Sequence, residues 1–247
     1  MAFLLAAALF LPLYPLSAGF NAVLPRAGRP AARFALILLW PQIGVLLLHL
    51  SPQPAPSWFL AWALSTSGFY ALRLLTVRDL GRHATALATS AAALAWGLAA
   101  AGADTPRLGL FTLALTLPAA LMVLLDGALA RRFGAAHAGL CQGLGHAAPR
   151  LAGLLTATTL AAVATPPFPG FFVLLDLLHR LPGAALPAVL GIWLLWGWAA
   201  ARLLQGFLAG RAAPGPVEDL GQTHSRLGVA ALAIFVACGL YLAGGSP

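Results

Sequence analysis

Ionisable side chains are scarce in this chain, and those that fall within apolar runs carry the open chemical questions. Six acids and six histidines accompany 14 basic residues, every one of them arginine. Asp126 lies late in an apolar run, about one turn before Arg131 and Arg132. It reads either as a snorkelling ion pair at a membrane surface or as a proton or ion site, because near-interface charges cost little and midplane charges cost much. Asp176 and His179 are three apart, which places them on one helical face. They form either a proton-accepting pair, since imidazole titrates near neutrality, or a helix end shared with Arg180. His146 and Arg150 flank Pro149 at a helix start, a place for capping or for contact with lipid phosphate. Thr165 opens the break Thr165-Pro166-Pro167-Phe168-Pro169-Gly170. Thr156, Thr158, Thr159 and Thr165, with Ser65, Thr66 and Ser67, either line a cavity or bond helix carbonyls and neighbouring helices. Cys141 and Cys238 stand far apart and read as small apolar fillers, supporting neither a disulfide nor a zinc site. No nucleophile–base order, metal-ligand spacing or phosphate-cradling loop occurs, so neither a catalytic centre nor a cofactor is expected.

The elements that must position these groups are membrane helices. The chain has 247 residues, 61% hydrophobic and 8% charged, with mean hydropathy +0.90. A soluble domain carries about 25% charged and about 45–50% apolar residues, so this surplus of apolar surface has no water-soluble core to enter. The expectation is an all-α, polytopic transmembrane helix bundle of about eight or nine spans, forming one domain over residues 1–247. The +8 formal charge does not point to nucleic acid, because the arginines sit singly or in pairs between apolar runs, as topology markers do. Richness in Ala, Leu, Gly and Arg fits a GC-rich bacterial genome, and hence the bacterial cytoplasmic (inner) membrane.

Apolar runs long enough to cross at about 20 residues per span cover 2–24, 34–50, 58–75, 85–101, 108–130, 184–204 and 227–242. The stretch 149–178 holds two apolar runs, the second short, on either side of the Thr165-to-Gly170 break. Such a break in hydrocarbon is tolerated only where protein or a polar cavity shelters the freed backbone, so a multi-helix bundle is expected around it. Pro12 and Pro15 bend the first run, which lacks a basic leader and a cleavage site and reads as a helix, not a signal. Arg73, Arg78, Asp79, Arg82 and His83 form a basic loop. His49 ends a span at the interface. Trp58 and Trp62 suit an interfacial belt, and Trp193, Trp196 and Trp198 a flank facing protein or lipid. The positive-inside rule puts the N-terminus outside and the loops after spans one, three and five in the cytoplasm. Nine crossings put the Arg211 loop outside, whereas counting the broken pair as one crossing puts it inside; nine is the expectation.

Several segments resemble, in family order, the antiporter-like membrane subunits of respiratory complex I, Mrp antiporters and related hydrogenases. They are LLDGALARRFG (124–134), APRLAGLL (148–155), ATPPFPGFF (164–172), WAAARLLQGFLAG (198–210) and VEDLGQTHSRLGVAALAIFVACGLYLAG (217–244), with LPLYPLSAGFNAVLPR (11–26) like that family's first helix. The resemblance assigns 105–247 to the family's C-terminal region and 1–104 to N-terminal helices. It implies other membrane subunits and lipid as partners, in a complex of the NADH–quinone oxidoreductase or hydrogenase type. A bicarbonate-uptake system with a zinc-bearing soluble partner is a further possibility. Members are usually about twice as long and carry a lysine-centred polar line. Here its His-x-x-x-Lys pair falls at Leu115 and Ala119, and the acid after the break at Leu174. Arginine stays protonated and cannot relay protons, so a chain without lysine is expected to be a non-catalytic, structural member. The alternative is a stand-alone or homo-oligomeric proton or ion transporter using Asp126, Asp176 and His179 around the break, where broken helices mark transport sites.

Overall fold

The computed structural model describes residues 1–51, 55–210 and 217–244, and among them every extended regular element is helical. Twelve α-helices follow one another. They are α1 (Ala2–Phe10), α2 (Ser17–Arg26), α3 (Pro30–His49), α4 (Trp58–Leu74), α5 (Leu80–Ala93) and α6 (Ala95–Ala100), then α7 (Thr105–Phe133), α8 (Leu144–Ala147), α9 (Pro149–Ala162), α10 (Pro169–Arg180), α11 (Leu186–Leu208) and α12 (Gln222–Gly244). Proline occupies the first two positions of α3, α7, α9, α10 and α11, where its missing N–H has no helical partner to lose. Gly134 ends α7 in the left-handed region at φ +80°, a conformation without penalty for glycine.

Among the described residues, four helical stretches are long and apolar enough to cross a membrane: Pro30–His49, Thr105–Phe133, Gly183–Leu208 and Gln222–Gly244. The expected eight or nine spans, one pair of them broken, are not confirmed by that count. The run 2–24 is two helices rather than one bent span, and 85–101 is divided between α5 and α6. Pro12 and Pro15 withhold two amide donors from the first run, which stops a continuous ladder. Helix α7 is the hub of the bundle, packing against α3, α5, α9 and α10.

The pair α9–α10 corrects the expectation of nine crossings. Asp219, just before α12, bonds the first amides of α9. Gly228 of α12 faces Leu154 of α9, and Gly239 faces Pro167 and Phe168 at the break. Tyr241 and Leu242 close a cavity with Asp176 and Arg180 of α10. One straight helix of 23 residues thus runs beside both halves in the same direction, so α9 and α10 together form one path through the bundle. Arg211 itself lies outside the described residues.

With that path, the charges segregate. The ends bearing Arg26, Arg29, Arg33, Arg73, Arg78, Arg82, Arg131, Arg132, Arg150, Arg202 and Arg226 meet at one end of the bundle, where Asp79, Asp126, Glu218 and Asp219 also lie. The opposite end holds Arg107 and Arg180 against Asp104 and Asp176. Among the described residues, eleven cations face four acids at the first end and two face two at the second. That asymmetry is the signature of a chain oriented by its arginines.

Both long breaks are sealed by the same two devices. At the first, the indoles of Trp40 and Trp96 donate to the Leu9 and Leu11 carbonyls (3.0 Å each), and Trp62 donates to Tyr14 O. At the second, Trp193 donates to Val163 O at 2.9 Å. A glycine of a continuous helix then lets that helix press on each break. A Cβ on Gly44 would stand 2.8 Å from Leu11 N, and one on Gly239 would stand 2.0 Å from Pro167 O. Freed carbonyls in hydrocarbon need such donors. These tryptophans are carbonyl donors first, which revises the belt reading of Trp62. The Trp193, Trp196, Trp198 cluster also divides. Trp196 is buried and bonds Ser90 Oγ, Trp193 turns to the break, and Trp198 alone is largely exposed.

Candidate functional site

Helix α5 carries Gly81, Thr85 and Thr89 at steps of four, so all three lie on one face. Thr85 Oγ1 donates to Gly81 O and Thr89 Oγ1 to Thr85 O, both at 2.8 Å. Threonine in a membrane helix satisfies its hydroxyl this way and still offers a lone pair outward. Asn21 of α2 reaches that lone pair: its Nδ2 donates to Thr89 Oγ1 (3.4 Å), Tyr70 Oη (3.0 Å) and Ser17 O (2.8 Å). Ser17 Oγ and Tyr70 Oη share a hydrogen bond of 2.9 Å. On the adjoining faces, Ser67 and Ser90 exchange hydroxyl bonds, and Trp196 Nε1 donates to Ser90 Oγ at 2.9 Å. The first helix break adjoins this cluster, with Tyr14 N donating to Thr66 Oγ1. The result is a buried hydroxyl and amide network linking α2, α4, α5 and α11.

Asp126 stands at the mouth of the network. Gly81 N donates to its Oδ1 at 3.1 Å, and Arg33 Nη1 lies 3.6 Å from its Oδ2. Gly81 is required here, because a Cβ would lie 2.9 Å from Asp126 Oδ2. Arg33 is anchored independently through Ala27 O and Pro25 O. Above them opens a cleft of about 590 Å³ whose lining includes Asn21, Arg33, Arg73, Arg82, Thr85 and Asp126. The cleft wall carries two carboxylates, Asp126 and Asp79, beside these hydroxyls and amides. The expected pairing of Asp126 with Arg131 or Arg132 is not formed. Arg132 instead donates to the carbonyls of Ala128, Glu218 and Asp219, and Asp126 looks across to α3 and α5.

The other sequence candidates are not brought to this site. Asp176 bonds Arg180 at 2.8 Å and faces Arg107 at 3.8 Å, at the opposite end of the bundle. His179 Nδ1 lies 2.7 Å from Leu175 O, so the two share a helix face without pairing. Thr165 Oγ1 turns back on Leu160 O at 3.0 Å, and its own N–H also reaches Leu160 O. The break is thus internally satisfied, although Ala164 stands in the left-handed region at φ +56°. Arg150 begins α9, with its amide donating to Asp219 Oδ2 at 3.0 Å and the Leu151 amide to Oδ1 at 3.2 Å. Burial pushes the Asp219 carboxyl up, but the amides of Arg150, Leu220 and Leu151 and the Arg150 charge outweigh it and hold the group below its ordinary value. Burial likewise raises the Cys141 thiol, a backbone hydrogen bond at His137 partly offsets it, and Sγ donates to Ala135 O. No group of three or more metal-ligating side chains occurs among the described residues.

His83, a basic-loop residue by sequence, is fully buried in the first turn of α5, where neither ring nitrogen completes a hydrogen bond although the Val77 backbone lies beside the ring. Thr159 Oγ1 is likewise buried and unpartnered. Where the resemblance places the relay, Leu115, Ala119 and Leu174 are 1%, 0% and 0% exposed. Leu115 Cδ2 lies 3.2 Å from where a Gly170 Cβ would be, so an apolar side chain fills the space beside the break. The hydroxyl network was missed as a unit, although the steps of four from Ser17 to Asn21 and from Gly81 to Thr85 to Thr89 were visible in the sequence.

No family model and no curated protein matches this chain. Solved structures do. A chain of respiratory complex I from Thermus thermophilus with bound NADH superposes with a TM-score of 0.79 at 24% identity, over 96% of this chain and 54% of its own length. A chain of the Mrp complex from Dietzia sp. DQ12-45-1b gives 0.85 at 16% identity, over 96% and 55%. A chain of the membrane-bound sulfane sulfur reductase, an archaeal respiratory membrane complex, gives 0.72 at 17% identity, over 96% and 51%. This chain therefore shares its fold with chains of these three membrane complexes, and it spans about half the length of the chains it matches. The likeness covers 96% of the chain, and so also takes in helices between the motif at 11–26 and those from residue 124 onward.

Proposed function

We propose that this chain serves as a non-catalytic, antiporter-like membrane subunit of a multi-subunit ion- or redox-linked complex, packing against larger membrane partners. The observation that carries the reading is the apolar substitution of the relay. The positions assigned to the family's ionisable line are Leu115, Ala119 and Leu174, all within the core, and the chain has no lysine. A titratable relay needs groups whose proton affinity moves on burial, which leucine and alanine cannot offer and arginine does not. Membership of a complex is supported by the settings of the similar chains: respiratory complex I, an Mrp complex and an archaeal respiratory membrane complex. In this reading the arginine-rich end faces the cytoplasm of a bacterial inner membrane, by the positive-inside rule, and the partners are other membrane subunits and lipid.

Mild-detergent purification of the tagged chain from its native membrane, with mass spectrometry of what co-purifies, tests this. Stoichiometric quinone- or metal-cofactor subunits, or a longer antiporter-like chain, are the expected result. A zinc-bearing soluble protein would mark the bicarbonate-uptake type of partner instead. Recovery alone or as a homo-oligomer overturns the reading. The transporter reading is favoured by one observation, the cleft that leads past Asp126 into the hydroxyl network. Asp176 and His179, at the far end and separately bonded, belong to no common site with it.

A further inference from the structure

Two adjoining cavities at the arginine-rich end share the side chains of Arg202 and Gln205. One, of about 220 Å³, is lined also by Arg78 and Gln142. The other is an open apolar groove of about 760 Å³ along the outer face of α11, lined by Leu190, Trp193, Leu194, Gly197 and Trp198. The side chains of Arg78, Arg202, Gln142 and Gln205 make no hydrogen bond or ion pair with any described residue. No acid lines either cavity. Two unneutralised guanidinium groups and two free amides thus close the end of a groove made of hydrocarbon-facing side chains.

We propose that these two cavities form one binding site for an anionic phospholipid. The phosphate sits between Arg78 and Arg202, whose planar forks suit bidentate contact with its oxygens. The amides of Gln142 and Gln205 receive the hydroxyls or ester oxygens beyond it, and an acyl chain lies along Leu190, Leu194 and Trp198. The occupant follows from charge and shape together. A free anion has no use for the groove, and a neutral apolar guest leaves two cations unpaired. A protein helix alone would cover the groove but not the polar pocket. The site also lies at the level where a cytoplasmic leaflet concentrates its anionic headgroups. Its groove lies on α11, its polar cavity meets the Asp126 cleft only at Val77 and does not include Asp126, and the site stands whichever reading of function holds.

The full chain, purified in mild detergent, is titrated with phosphatidylglycerol, with phosphatidylcholine and with inorganic phosphate, reading thermal stability and the lipid retained by native mass spectrometry. Two variants separate the halves of the site: Arg78→Gln combined with Arg202→Gln, and Gly197→Leu, which adds bulk to the groove where a Cβ meets no atom within 4 Å. Phosphatidylglycerol is expected to stabilise and remain bound at least tenfold more tightly than phosphatidylcholine. The arginine double variant should erase that preference, and Gly197→Leu should lower retention of both lipids while sparing the melting temperature of the lipid-free protein. Equal response to the two lipids, full protection by inorganic phosphate alone, or unchanged retention in both variants overturns the proposal. So does a groove found filled by a co-purified protein subunit.

Discussion

Replacing Asp126 tests the function and the local energetics in one experiment. The carboxylate accepts from Gly81 N at 3.1 Å and faces Arg33 at 3.6 Å, with the two side chains 13% and 27% exposed. At that separation the gross attraction is about 4–5 kcal/mol for an effective dielectric near 20, but most of it offsets the desolvation of both ions. Asn at 126 keeps an acceptor for Gly81 N, and Arg33 keeps Ala27 O and Pro25 O as well as access to the cleft. Asp126→Asn should therefore lose only about 1–2 kcal/mol, the increment of a charge-assisted over a neutral hydrogen bond. Asp126→Leu also strands the Gly81 amide and should lose about 1–3 kcal/mol more. The assay is thermal unfolding in detergent, read beside the assembly and ion-coupled activity of the purified complex. Under the subunit reading, Asp126→Asn assembles normally and turns over at the wild-type rate. An Asn variant that folds and assembles but moves no protons or ions would refute that reading and make Asp126 a carrier. An Asn variant as unstable as Leu would refute the accounting of its partners.

Three further expectations follow from particular contacts. Asp219→Ala removes the acceptor for two amides at the start of α9 and should lower stability by about 1–2 kcal/mol; because the native carboxyl titrates below its ordinary value of 3.8, its contribution is present above that value and lost as pH falls through the native one. Acid titration of stability in wild type and variant checks this, and the two curves should converge at low pH. Gly239→Ala places a Cβ 2.0 Å from Pro167 O and should cost about 1–3 kcal/mol as α12 is lifted off the break, whereas Gly191→Ala, with open space around it, should leave the melting temperature unchanged. His83→Leu removes two buried ring nitrogens that complete no hydrogen bond and should leave stability equal or raise it by about 1–3 kcal/mol; a loss measured by the same melting assay would show that the ring has a polar role.

The sequence alone determined the class of solvent, the helical architecture and the family of fold. Those are written in composition, in the length of apolar runs and in local motifs, each a property of neighbours along the chain. The absence of lysine was equally plain. Pairing was not legible, because it joins residues far apart in the chain. Asp126 takes its partner from α3 rather than from the arginines one turn away. The tryptophans of α3, α4, α6 and α11 donate to carbonyls at breaks that the sequence marks only by proline. His83 looks like a loop residue beside four charged neighbours until α5 is seen to start at Leu80. Only the tertiary structure decided that α9 and α10 form a single path, since proline says that a helix stops and not which way the chain goes next. That direction is set by α12 lying along both halves, and it gathers the arginines at one end, beside both the Asp126 cleft and the paired cavities of α11.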